Sequence, residues 1–157
     1  VIPYLRLAVT LRAQAPARLP PFKGSMLRGT FGHALRRTVC AMGPRQPCES
    51  SRLRRACIYT RIFETFIEGP PPPLLRGLPT SPRPYIFEPP DEQRDFAPGD
   101  PLIFDLVLVG QAAELQAYAQ LAVERMAAAG LGVRRAPFAL DRVEAQALLP
   151  RSAPRLL

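Results

Sequence analysis

Between Pro70 and Pro101, eleven of thirty-two residues are proline, and four of them are consecutive at 70–73. Proline lacks a backbone N–H and holds a fixed φ, so it can neither continue a helix nor occupy a central strand. The segment is therefore predicted to be a stiff, extended connection over the surface, with one short strand at Tyr85–Glu88. Regular structure is pushed into the two flanks. With 157 residues and 47% hydrophobic content, those flanks have enough chain for about one ordinary core between them. The same prolines would also suit a ligand for a proline-binding partner module, which is a less economical reading than a connection.

The first flank opens with a period of two. Leu5, Leu7, Val9 and Leu11 point one way and Arg6, Ala8, Thr10 and Arg12 the other, as in a half-buried strand over 4–12. From Ser25 to about Cys40, Leu27, Phe31, Leu35 and Val39 recur every four residues, which predicts a helix with a core stripe. Gly29 and Gly32 sit inside that helix beside Arg28, Arg36 and Arg37. Each glycine costs about 1 kcal/mol relative to alanine, so something is expected to approach the backbone closely there, either a packed element or a ligand. Lys23-Gly24-Ser25 leads into the helix, whose free N–H groups form an end that can hold a phosphate. Residues 41–57 are polar and basic. Ile58 to Phe66 is apolar and aromatic, and its pattern fits a short helix or a short strand equally.

In the second flank, Leu102 to Val109 is apolar on both faces apart from Asp105, as expected of a central strand covered by helices. Ala112 to Ala129 carries Leu115, Ala119, Ala122 and Met126 on one stripe and reads as a helix, stopped by Gly130-Leu131-Gly132. Phe138, Leu140 and Val143 mark a last strand within 134–144, and Pro150 to Leu157 reads as a loosely held tail. The order strand, helix, strand, strand, helix, strand predicts an α+β, ferredoxin-like βαββαβ fold with a long proline-rich insertion. Residues 1–145 are assigned to that domain and 146–157 to a tail. The chain opens on Val1 without a signal-peptide pattern, so a trimmed or excised domain is expected.

Charge is uneven. Residues 1–61 hold eleven Arg and Lys23 against Glu49, a net of +11, while 62–157 hold nine Arg against twelve carboxylates, a net of −3. A polyanion is the natural partner for such a half, although an Arg-rich, Lys-poor composition also follows from a GC-rich genome. No run is apolar and long enough to span a membrane. Three cysteines (Cys40, Cys48 and Cys57) do not form a disulfide scaffold, and the odd count points to a reducing, cytoplasmic setting.

The run Leu19-Pro20-Pro21-Phe22-Lys23-Gly24-Ser25-Met26-Leu27-Arg28-Gly29-Thr30-Phe31-Gly32-His33-Ala34-Leu35-Arg36-Arg37 is distinctive. It resembles the precursor-CRISPR-RNA processing endoribonuclease branch of the RAMP superfamily, the RNA-binding proteins of CRISPR antiviral systems. Four further stretches resemble the branch in the same order. They are Cys57-Ile58-Tyr59 with Phe63-Glu64, the run from Pro82 to Pro90, Pro98-Gly99-Asp100, and Gly130-Leu131-Gly132 before Phe138. The resemblance implies a ferredoxin-like domain with a glycine-rich loop at Gly130 and Gly132, a tail at 146–157 leading to a second ferredoxin-like half, an RNA partner in the form of the CRISPR repeat, and partner subunits of an effector complex. The open sheet face of such a fold is a frequent RNA platform.

Where the branch tends to show four cysteines, this chain has Ser51 three residues after Cys48. Three thiolates would need His33 or water to complete a zinc site, so an ordinary basic loop with three thiols is expected, with no metal and no cofactor.

Processing in this superfamily is metal-independent: a ribose 2′-OH attacks the adjacent phosphate, leaving a cyclic phosphate and a 5′-OH. That chemistry asks for a base, an acid and a cation on the phosphorane. His33, the only histidine, is assigned as acid or base, with Lys23 and Arg36 or Arg37 steadying charge and Tyr59 as a remote candidate. Gly24, Ser25, Arg28, Arg52, Arg54, Arg55, Gly130 and Gly132 are assigned to RNA contacts. The alternatives are a non-catalytic RAMP subunit of an effector complex and a basic protein-interaction domain.

Overall fold

A computed structural model describes residues 2–43, 46–89 and 92–148. Strand β1 spans Tyr4–Ala13 and is followed by the two-residue strand β2 at Ala17–Arg18 and by helix α1 at Gly24–Val39. After a long irregular stretch come β3 at Tyr85–Glu88, β4 at Asp95–Phe96, β5 at Pro101–Val109, helix α2 at Gln116–Ala129 and β6 at Phe138–Leu148. Four strands form one antiparallel sheet in the order β3–β5–β1–β6, while β2 and β4 pair separately. The fold is α+β: the two helices pack on the four-stranded sheet.

One core joins the layers. Leu5, Leu7, Val9 and Leu11 from β1 meet Leu27, Phe31 and Leu35 from α1 and Ala119, Ala122, Val123 and Met126 from α2, all buried. Each buried Leu or Phe contributes about 1.5–3 kcal/mol by leaving water, which is why the alternation and the four-residue stripe locate these elements. The small residues of α2 let the two helices approach: Thr30 Oγ1 lies 3.7 Å from Met126 Sδ.

The last strand begins later and ends later than 134–144, because residues 131–136 close a turn, with Leu131 N–H donating to Ala136 O at 2.9 Å and Ala136 N–H donating back at 3.0 Å. Its register against β1 slips between Thr10 and Leu11, so that Leu11 faces Leu140 and Val9 faces Val143. A β-bulge therefore accounts for the uneven 138, 140, 143 spacing of its apolar residues. The assigned tail divides at this point. Residues 146–148 belong to β6, and the expectation of a loosely held end from Pro150 lies outside the described residues.

Strand β5 is central, but helices cover only one of its faces. Ile103 on the other face is 48% exposed, and Asp105 is held there by Arg6 Nη1 at 2.8 Å. The expectation of a strand buried on both sides is corrected to a single covering layer.

The proline-rich segment runs over the surface, as its composition requires, but aromatic contacts tie it down. Tyr85 and Phe87 of β3 pack on Phe31, with ring centroids 5.4 and 5.3 Å away, and Phe96 of β4 packs edge-on against Phe138 at 5.9 Å. The undecided stretch before it is helical: a π-type turn at Thr60–Glu64 ends at Thr65, whose φ is +48°.

Candidate nucleic-acid interface

Helix α1 buries its Leu27–Phe31–Leu35 stripe, which turns Thr30, His33 and Arg37 toward the solvent side of its contact with α2. There, Thr30, His33, Ala34 and Arg37 form one wall of a groove of about 640 Å³, and Arg125, Met126 and Ala129 of α2 form the other. Gly130, Gly132 and Arg135 close one end. The lining holds three guanidinium groups and one imidazole and no carboxylate, an arrangement that attracts an anion and offers it donors.

The closing turn is tight. Gly130 has φ +98° and lies against the Arg135 carbonyl, and Gly132 has φ +75°, where a Cβ would stand 2.9 Å from Arg18 O. Neither position has room for a side chain, so both glycines are explained by the turn itself, whatever else meets them. Arg135 also adopts a left-handed conformation, with φ +49°.

Of the residues assigned from sequence, His33, Arg37, Gly130 and Gly132 come together in this groove. Lys23 does not. Its side chain is fully buried (0% exposed) with Nζ 3.5 Å from Pro21 O, which removes it from the position beside His33 expected of a charge-steadying group. Arg36 turns to the other side of α1, where Nη2 donates to Gln46 O at 2.8 Å and the guanidinium lies 5.7 Å from the Tyr59 ring centroid. Adjacent residues on a helix point about 100° apart, so Arg36 and Arg37 were bound to separate. Tyr59 is equally unsuited to proton transfer with a ligand. It is buried, its hydroxyl donates to Glu64 Oε1 at 3.1 Å, and burial together with the Glu64 charge pushes its pKa well up.

The remaining assignments fall into two other places. Gly24, Ser25 and Arg28 line a cavity of about 260 Å³ at the start of α1 with Arg83, Tyr85, Ile86 and Phe87. Arg54 and Arg55 line a third cavity of about 490 Å³ with Arg61, and both are paired to Glu68, at 2.9 and 3.0 Å. Hydrogen bonding to Arg54, and then to Arg55, holds the Glu68 carboxyl below its ordinary pKa. Arg52 is exposed in the turn that precedes them.

The family model AF_1859_N, described as an N-terminal domain, matches residues 2–153. The chain belongs to this family. No curated protein matches it.

In this N-terminal domain the sequence reading missed Thr30, Arg125 and Arg135 in the groove, and Arg83 and Tyr85 at the start of α1. Arg125 had a usable signal. It precedes the buried Met126 and so flanks the core stripe of its helix, where a neighbouring helix packs. Arg83 had none, since only the tertiary course of the proline-rich segment carries it back to α1.

The exposed face of the sheet carries a paired cation. Arg6 is held by Asp105 at 2.8 Å and by Glu88 at 3.3 Å, between the exposed Ile86 and Ile103. Cys40, Cys48 and Cys57 line one small cavity of about 160 Å³ together with Ser51, and all three are free thiols. His33 lies in the groove instead. Among the described residues no group of three or more His, Cys, Asp or Glu is arranged to hold a metal. No helix among them is long and apolar enough to cross a membrane.

Proposed function

We propose that this domain binds RNA in the groove between α1 and α2, as the N-terminal, ferredoxin-like part of a RAMP-type protein that processes precursor CRISPR RNA in the cytoplasm. The observation that carries the reading is the groove itself: His33, Arg37, Arg125 and Arg135 around one cavity without a carboxylate, closed by a glycine-containing turn between α2 and the last strand. The strand order β3–β5–β1–β6, with a helix after the first and third of these strands in the chain, is the order a ferredoxin-like domain has and supports the reading.

In the processing reaction the 2′-oxygen bonds to phosphorus as the bond to the 5′-oxygen breaks. A base takes the 2′-OH proton and an acid protonates the leaving oxygen, while cations hold the equatorial oxygens. His33 serves as one of the two proton carriers, and Arg37 with Arg125 holds the phosphate. Lys23 takes no part in this version.

A second reading, a non-catalytic RAMP subunit that holds guide RNA, is favoured by one observation: with Lys23 buried and Tyr59 locked on Glu64, His33 is left as the one proton-carrying side chain in the groove, where the reaction asks for two.

One experiment separates the two. The intact protein is incubated with a CRISPR repeat hairpin in EDTA. Processing gives a single cut ending in a cyclic phosphate, and His33→Ala abolishes it with binding held within a few-fold. Binding without a cut selects the subunit reading. Affinity independent of salt overturns both, since phosphate contacts release counterions.

A further inference from the structure

The start of α1 is built like an anion site, and it lies apart from the groove. Helix α1 is sixteen residues long, has no side-chain cap at its N-terminus and no acidic residue in its first turn. Its leading N–H groups and the positive end of its dipole therefore face outward without an internal counter-charge. A helix start alone would prove nothing. A second observation points the same way.

Tyr85 reaches this cavity from β3 with only 7% of its surface exposed, and its hydroxyl is buried with no acceptor for its proton. Burial pushes its pKa up, and the charges of Arg28 and Arg83, with a hydrogen bond from Arg28, pull against that shift, which places both cations around the phenol; a guanidinium only donates, so the hydroxyl proton still lacks an acceptor. A buried hydroxyl left unsatisfied is costly, and native structures rarely keep one without a reason. Arg83 is itself set firmly: its Nε donates to Phe63 O at 2.6 Å and its guanidinium lies 4.9 Å from the Phe63 ring centroid. The lining of about 260 Å³ thus offers helix N–H groups, the Ser25 hydroxyl, two guanidiniums and a phenol, with no carboxylate among them. Donors alone converge on the space, as a phosphoryl group requires.

We propose that Gly24, Ser25, Arg28, Arg83 and Tyr85 form a phosphate-binding site at the N-terminus of α1, distinct from the groove lined by His33. The ligand is a phosphoryl group, free or carried on a nucleotide. Phe22 bears on the second source. Its ring is 70% exposed and lies over Gly24, where a Cβ would stand 2.8 Å from Cζ, so an aromatic surface flanks the phosphate position and can stack a base. The site needs no RNA in the groove, and it stands or falls independently of the function proposed above.

The test uses thermal unfolding and amide chemical shifts of the protein with inorganic phosphate and, separately, with adenosine 5′-monophosphate, no RNA being present. Phosphate is expected to raise Tm and to move the Ser25 and Met26 amide signals. Arg28→Gln should weaken the apparent affinity at least tenfold. Tyr85→Phe is the discriminating variant. If the hydroxyl awaits a ligand, its loss leaves the ligand-free Tm unchanged or higher while removing most of the phosphate response. A Tyr85→Phe protein that unfolds earlier without ligand and keeps the full response would overturn the assignment, as would a wild-type protein whose Tm and amide signals ignore phosphate. Tighter binding of the nucleotide, lost in Phe22→Ala, identifies the nucleotide as the source, and equal binding of the two probes identifies the free ion.

Discussion

Two glycines three residues apart on α1 show how differently the same residue type can be used. A Cβ at Gly32 would collide with the ring of Phe63, whereas a Cβ at Gly29 would meet nothing within 4 Å. Gly32 is therefore a packing residue: its missing side chain is the space into which the Thr60–Glu64 turn inserts. Gly29 carries the helix penalty with no contact in return. Gly29→Ala should accordingly raise stability by about 1 kcal/mol, or about 2–4 °C in Tm. Gly32→Ala should lower it by about 1–3 kcal/mol, because the Phe63 ring must be displaced from a stack that includes Tyr59 and Tyr85. Urea unfolding of the two variants measures both, and equal effects would contradict the assignment. The chain alone announces that both glycines are costly. It cannot say which is filled, because the ring that fills one comes from 31 residues further along.

At the scale of elements, the turn from Gly130 to Ala136 combines shape with charge. The left-handed conformation of Arg135 costs a non-glycine residue about 1–2 kcal/mol, and glycine would return about half of that through its freer unfolded state. Arg135→Gly should therefore stabilise the fold by about 0.5–1 kcal/mol while weakening RNA affinity several-fold, since a groove guanidinium is lost. Arg135→Lys should keep affinity within a few-fold and gain no stability. Chemical denaturation paired with RNA titration checks both halves. If Arg135→Gly leaves affinity intact, the residue belongs to the turn alone. The elements themselves were largely legible. The alternation of Leu5, Leu7, Val9 and Leu11 and the stripes of both helices each report burial against a single layer, which is a local property. The bulge was half legible as a slip in the phase of Phe138, Leu140 and Val143. Illegible were the β2–β4 pairing, the helical turn at Thr60–Glu64 and the burial of Lys23, all of which depend on where the proline-rich segment and its neighbours return to the core.

Over the whole molecule, the +11 of residues 1–61 does not become one uniform patch. Part lines the groove, part surrounds the start of α1, and Arg54 and Arg55 are held by Glu68. Arg6 is likewise engaged by Asp105 and Glu88 on the far face of the sheet. Net charge therefore overstates the number of cations facing any one strand of RNA, and the slope of affinity against salt measures that number directly. Each phosphate neutralised contributes a slope of about 0.7–0.9 in log affinity per log salt. Removing a groove guanidinium (Arg37→Ala, Arg125→Ala or Arg135→Ala) should lower the slope by about one unit and weaken binding to every RNA sequence alike. Arg54→Ala and Arg55→Ala should leave it nearly unchanged, because a guanidinium already shared with Glu68 displaces few counterions when RNA arrives. Reversal of that pattern, with the slope falling in the Arg54 and Arg55 variants and holding in the groove variants, would move the RNA path off the helical layer and onto the 52–68 loop, where Arg61 and the strained Thr65 line the neighbouring cavity.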